Sequence, residues 1–146
     1  MKITHTMTVM FVGSFFIQYF LMPPIMVNNR LYITNNLGKA YIAATMAIFM
    51  LFLEVMMHDY QYKVLSLNLY TLLAGGLAMF VYLYRQQIAI NDKQYLEGMI
   101  EHHSMALLTS EEILKKTNDY NVTKIAKNII QTQKDEINSM KNLLKK

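Results

Sequence analysis

Three apolar stretches, each long enough to cross a bilayer, occupy most of the first ninety residues. The first runs from about Met7 to Val27, carries no charged residue and has Gln18 as its one strongly polar side chain. At about 1.5 Å per residue it spans the roughly 30 Å of a hydrocarbon core. The second covers residues 40–57, apolar except for Thr45 and Glu54, and the third covers 64–84 and contains Gly75-Gly76. Buried helices of soluble proteins also have apolar runs, but three of this length so close together require lipid. Tyr32, Tyr41, Tyr60, Tyr62, Tyr82 and Tyr84 fall near the predicted span ends, where an aromatic belt places them. The expectation is an integral, multi-pass membrane protein with the lipid bilayer as its first partner. Lys2 ahead of an apolar run also suits a signal peptide. No Ala-x-Ala-like cleavage site follows, however, and Pro23-Pro24 lies where the run is still apolar, so a retained span, kinked or ended there, is the preferred reading.

Charge divides the chain. Residues 1–90 hold five Lys/Arg and two Asp/Glu, whereas residues 91–146 hold nine and eight. The tail has no long basic run, so no nucleic-acid partner is expected. There is no cysteine, which excludes disulfides, thiolate metal sites and Cys nucleophiles. The 13 methionines read chiefly as flexible apolar filler. Glu54 is the exception worth weighing, because an ionisable group within a span is costly. With Met46, Met50 and Met57/His58 it shares a helical stripe, a possible soft-metal path. The preferred reading is that it sits within a turn of the span's end and reaches water beside His58.

From Asn91 the pattern changes to two amphipathic helices. Asn91 or Asp92 caps the first, with Gln94 in the capping-box position if Asn91 is the cap. Arg85 to Ile90 contains no breaker, so a third span running straight into this helix stays open. Leu96, Met99, Ile100, His103, Leu107, Ser110 and Leu114 form one helical stripe, and Val122, Ile125, Ala126, Ile129, Gln133, Ile137, Met140 and Leu144 another. Thr117-Asn118-Asp119-Tyr120-Asn121 is turn chemistry. The fold class is therefore all-α: a membrane domain of residues 1–90, then an antiparallel helical hairpin of residues 91–146.

Folding the hairpin about 118–120 sets residues at matching height, Met99 opposite Met140 and His103 opposite Glu136. Met99 and His103 are one turn apart, as are Glu136 and Met140. His102 joins from the flank, and Gln133 lies one turn from Glu136. Thioether and imidazole donors together favour copper, above all Cu(I), over magnesium or calcium. Against this, methionines at these positions are ordinary core residues, and a lone His on an apolar stripe is usually a packed or surface residue. Catalytic signatures fail: neither histidine completes Glu-x-x-His, and His-Glu-x-x-His, phosphate loops and nucleophile elbows are missing, so no enzyme is expected.

The segment from Tyr95 to Leu107, with Gly98-Met99 and Glu101-His102-His103-Ser104-Met105-Ala106, resembles the signature of the DUF305 family. The run from Ala126 to Met140, with Gln133, Glu136-Ile137 and Met140, is similar to its second element. The likeness covers residues 91–146, and the three spans look like the family's membrane-anchored branch. It implies a ferritin-like hairpin that pairs with another into a four-helix bundle, hence a homo-oligomer, and copper binding or resistance in some members. Carried over by position, the metal candidates are Met99, His102, His103, Gln133, Glu136 and Met140. Where members often have Met or another apolar residue some four positions after the second His, this sequence has Leu107 and Leu108, and Met105 stands earlier.

The expected function is a membrane-anchored metal-binding protein, for copper, in sequestration or delivery. The alternative is a non-catalytic oligomerisation module with no metal. An odd number of spans puts Arg30, Lys39 and Arg85 with the tail and Lys2 and Lys63 opposite. That count leans to a cytosolic tail, a copper-handling role to an external one; the external side is taken.

Overall fold

The computed structural model describes residues 3–145, all of whose regular structure is helical. Helix α1 (Ile3–Phe16) continues through a wider π turn at Ile17–Leu21, and the short α2 (Pro23–Met26) begins on the proline pair. Then come a 3₁₀ turn at Arg30–Tyr32, α3 (Leu37–Tyr62), α4 (Leu67–Arg85), α5 (Asp92–Leu114) and α6 (Tyr120–Leu144). Three helical stretches, Ile3–Met26, Leu37–Tyr62 and Leu67–Arg85, are long and apolar enough to cross a membrane. They correspond to the three stretches expected from sequence, with shifted ends.

The shifts have local causes. The second helix runs on to Tyr62 because the polar patch after Met57 is folded into it rather than forming a connector. Asp59, near its end, accepts hydrogen bonds from the Ser66 N–H at 2.6 Å and the Ser66 hydroxyl at 2.7 Å. Its carboxylate thereby takes over the orphan donor at the start of α4. Lys63 adopts a positive φ of 51° to make the reversal. Glu54 consequently lies two turns inside α3, not one, and His58 contacts Asp59 and Tyr62.

Contacts divide the chain into two compact units, Met1–Leu21 with Leu37–Ala89, and Met22–Asn36 with Ile90–Lys146. In the first, α3 packs against both α1 and α4. Its core is Ile48, Leu51, Val55 and Leu73, flanked by Met7, Met10, Phe11, Phe52, Leu77 and Phe80. Ala43, Ala44 and Ala47 are buried, and small side chains let helix backbones approach closely. Gly76 faces Ile48, whose Cδ1 would lie 3.5 Å from an added Cβ, while Gly75 faces open space. Most other large apolar side chains of these helices point outward.

The second unit is the α5–α6 hairpin together with the connector that sequence places between the first two spans. Asn91 caps α5 by accepting from the Gln94 N–H at 2.9 Å. Only half of the capping box forms, because Gln94 Oε1 finds no partner among the described residues. The third span does not run into α5: the chain breaks at residues 86–90, with Gln87 and Ala89 at φ values of 51° and 58°. Asp119 caps α6 by accepting from the N–H groups of Asn121 and Val122. Ile100, Leu107 and Ile137 form the core between the helices, with Tyr32, Ile130, Met140 and Leu144 packed around them.

Candidate metal centre on the hairpin

The antiparallel pairing brings His103 on α5 to Glu136 on α6, with Nδ1 3.0 Å from Oε2. The imidazole is largely buried, its side chain 14% exposed, while the carboxylate is 49% exposed. The ring N–H direction misses the oxygen, so Nδ1 has no hydrogen-bond partner among the described residues although it sits at ion-pair distance. Gln133, one turn before Glu136, donates from Nε2 to the same Oε2 at 3.4 Å. A second cross-helix ion pair, Lys134 to Glu111 at 3.5 Å, holds the same two helices closer to the turn.

The other sequence candidates take different places. His102 is exposed on the flank, its ring 6.0 Å from that of His103 and nearly perpendicular to it. Met99 is half-buried one turn before His103. Met140 packs against the Ile100, Leu107 and Ile137 core. The site thus brings together His103, Glu136 and Gln133, a nitrogen and oxygen set, with the Met140 thioether in apolar packing. Among the described residues, no three His, Asp or Glu side chains converge as a metal cage would require.

The pair nevertheless fits a cation. A buried imidazole nitrogen without a hydrogen bond is costly unless something else satisfies it. Donors about 3 Å apart also suit one ion bonded to nitrogen and oxygen at about 2.0–2.2 Å.

Residues 80–145 match the model of a domain of unknown function, DUF305. The hairpin lies within that match. An uncharacterized protein of Acanthamoeba polyphaga mimivirus is 47% identical to this chain over 66 residues, 45% of this chain and 43% of the viral protein. The chain thus spans less than half the length of that relative. No solved structure matches the chain.

Sequence reasoning missed the residues that tie the connector to the DUF305 helix α5. The Asn28 N–H donates to the Ser104 carbonyl at 3.3 Å and to its hydroxyl oxygen at 3.1 Å, and that hydroxyl donates to Asn28 Oδ1 at 2.8 Å. The Thr34 N–H donates to Glu101 Oε2 at 2.7 Å, and its hydroxyl to the Glu97 carbonyl at 3.1 Å. Lys141 Nζ lies 4.1 Å from the centre of the Tyr32 ring. An added Cβ at Gly98 would stand 3.5 Å from the Asn36 carboxamide, so the connector passes close above it. Glu97, Glu101 and Ser104 follow helical spacing, and such a polar stripe reads from sequence as a solvated face. Glu101 and Ser104 are buried instead.

Proposed function

We propose that this is a multi-pass integral membrane protein whose DUF305 hairpin binds a metal ion, copper, for sequestration or delivery, without catalysis. The observation that carries the metal reading is the buried His103 Nδ1, unsatisfied by hydrogen bonding and 3.0 Å from Glu136 Oε2. The likeness to a family with copper-binding members supports the choice of metal, and Met99 supplies a soft donor near by. Support for insertion comes from the outward apolar side chains of the three long helices, among them Val12, Phe16, Phe49, Leu53, Leu72 and Met79. The tail is assigned to the external side. Ile113, Val122, Ile125 and Leu143 stay exposed on α5 and α6, which favours pairing of two hairpins into a four-helix bundle.

One observation favours the second reading, a metal-free oligomerisation module: Met140 serves as core packing between the helices. Competition of the purified full chain in detergent against a chromophoric Cu(I) chelator, repeated with Zn(II), separates the two. His103→Ala should weaken binding about tenfold or more while leaving helicity intact, since Ala is the better helix former. Glu136→Gln tests the oxygen donor, and Met99→Leu and Met140→Leu remove thioethers at nearly constant volume. If wild type and all four variants fail to compete, the metal reading is wrong and the module reading replaces it.

A further inference from the structure

The connector Met22–Asn36 has two faces. Inward it presents Val27, Asn28, Tyr32, Thr34 and Asn36 to α5 and α6, through the contacts described above. Outward it presents Leu31 at 86% exposure, Ile25 at 66% and Met26 at 43%. An almost bare leucine, with Ile25 and Met26 also exposed five or six residues earlier, is an unfavourable surface in water.

Both ends of this segment are fixed by the chain itself. Its first residues, Met22–Met26, are still the end of the first membrane-length stretch, Ile3–Met26, and Asn36 precedes Leu37, where the second begins. If those helices span a bilayer, as proposed above, eleven peptide bonds join two span ends, Met26 and Leu37, that emerge on the same side. A segment this short, part helical and folded back on α5, stays near the surface from which both its ends emerge. Arg30, next to Leu31, suits that depth, being exposed and able to reach the phosphates.

We infer that the connector is an interfacial strap: Ile25, Met26 and Leu31 enter the lipid surface while the opposite face grips the hairpin. The occupant of the apolar patch is the bilayer, not a second copy of the chain. The strap then holds the Glu97–Ser104 stretch of α5, and with it His103, at the membrane surface rather than out on a free stalk. A metal ion reaching the hairpin would be received beside the headgroups.

The chain has no tryptophan, so Leu31→Trp creates a unique fluorophore, at a position too exposed for the larger ring to disturb packing. The full chain carrying it is reconstituted into phosphatidylcholine vesicles whose acyl chains are brominated near the headgroup or near the chain end. Phe16→Trp, on the outward face of the first long helix, is the in-bilayer reference. The expected result is blue-shifted emission from Leu31→Trp, with most of it lost to the shallow bromines and little to the deep ones. Ile25→Trp should behave alike. Red-shifted, unquenched emission from both connector variants overturns the strap. Blue-shifted but unquenched emission overturns it as well, because the patch is then covered by protein. If Phe16→Trp also escapes both bromine positions, it is the membrane reading that fails.

Discussion

Two buried carboxylates do the same work in the two units and differ in how far they reach. Asp59 takes the N–H and hydroxyl of Ser66, seven residues away, and closes the turn between α3 and α4. Glu101 takes the Thr34 N–H, 67 residues away, and fastens the connector to the hairpin. The first unit is joined chiefly by helix faces and the Asp59 turn, with the Tyr41 hydroxyl donating to the Ile88 carbonyl at 3.0 Å as a longer tie. The second has an apolar core between α5 and α6, with Tyr32 packed against it, and adds polar contacts over long chain distance that fasten the connector. If the first unit lies in lipid, as proposed, it gains little from apolar contact between helices, since the tails are as apolar as leucine. A unit exposed to water gains the full hydrophobic term.

The sharpest test of this contrast is core truncation. Leu107→Ala, between α5 and α6, should lower the opening free energy of the hairpin by about 2–5 kcal/mol, the range for a buried leucine with its cavity. Leu73→Ala, in the other core, should cost less than half as much in a bilayer, where only packing is lost. Peptide-resolved hydrogen exchange on the reconstituted full chain reads both. Equal losses would mean that one force holds both units.

The next test separates long reach from short. Glu101→Ala removes the carboxylate acceptor of the part-buried Thr34 N–H, a loss of about 1 kcal/mol. Hydrogen exchange should then speed up across residues 28–36, with α5 and α6 still protected. Asp59→Ala should fray only the first turn of α4. Spread of either effect beyond its own unit would break the comparison.

The smallest effect concerns an exposed pair near the hairpin turn. A hydrogen bond from Lys115, reinforced by its charge, holds the Glu112 carboxyl below the usual carboxylate range. Because the folded value is the lower one, this contribution is present above the unfolded value of about 4.3 and is lost as pH falls through the folded one. Solvent screening makes it slight. Far-UV circular dichroism from pH 5 downward should show a small loss of helicity that Glu112→Gln removes; an unchanged profile in the variant would dismiss the pair.

The legible part of the fold is the part written locally. Length and hydropathy are enough for the three long helices, and Asn91 and the turn around Asp119 mark where α5 and α6 start. Helix ends were displaced where a side chain acts several residues away: the carboxylate of Asp59 draws the polar patch after Met57 into α3. At the candidate site, antiparallel register places His103 opposite Glu136, as counting along the helices suggests, and this is the cross-helix contact the structure displays. Counting places Met140 at similar height too, but whether a thioether faces a ligand or a core depends on what else fills the gap, and Ile100, Leu107 and Ile137 fill it. The grip of the connector on α5 was illegible. No periodicity relates Asn28 to Ser104 or Thr34 to Glu101, and a polar stripe on a helix looks the same whether it faces water or a strap.

The grip also bears on what can be transplanted. The likeness to DUF305 covers residues 80–145 and leaves out the connector. A chimera that borrows only that stretch takes Glu101 and the fully buried Ser104 away from Thr34 and Asn28, and strips Tyr32 from the Ile100, Leu107 and Ile137 core. To move this hairpin intact, a designer must carry two separate pieces of chain. In a lineage that keeps both pieces, substitutions at 28 and 34 are constrained by those at 104 and 101, so these positions should drift as pairs. A DUF305 hairpin that lacks such a connector must cover the same side of its first helix with something else, or replace the buried serine and glutamate with residues that tolerate water.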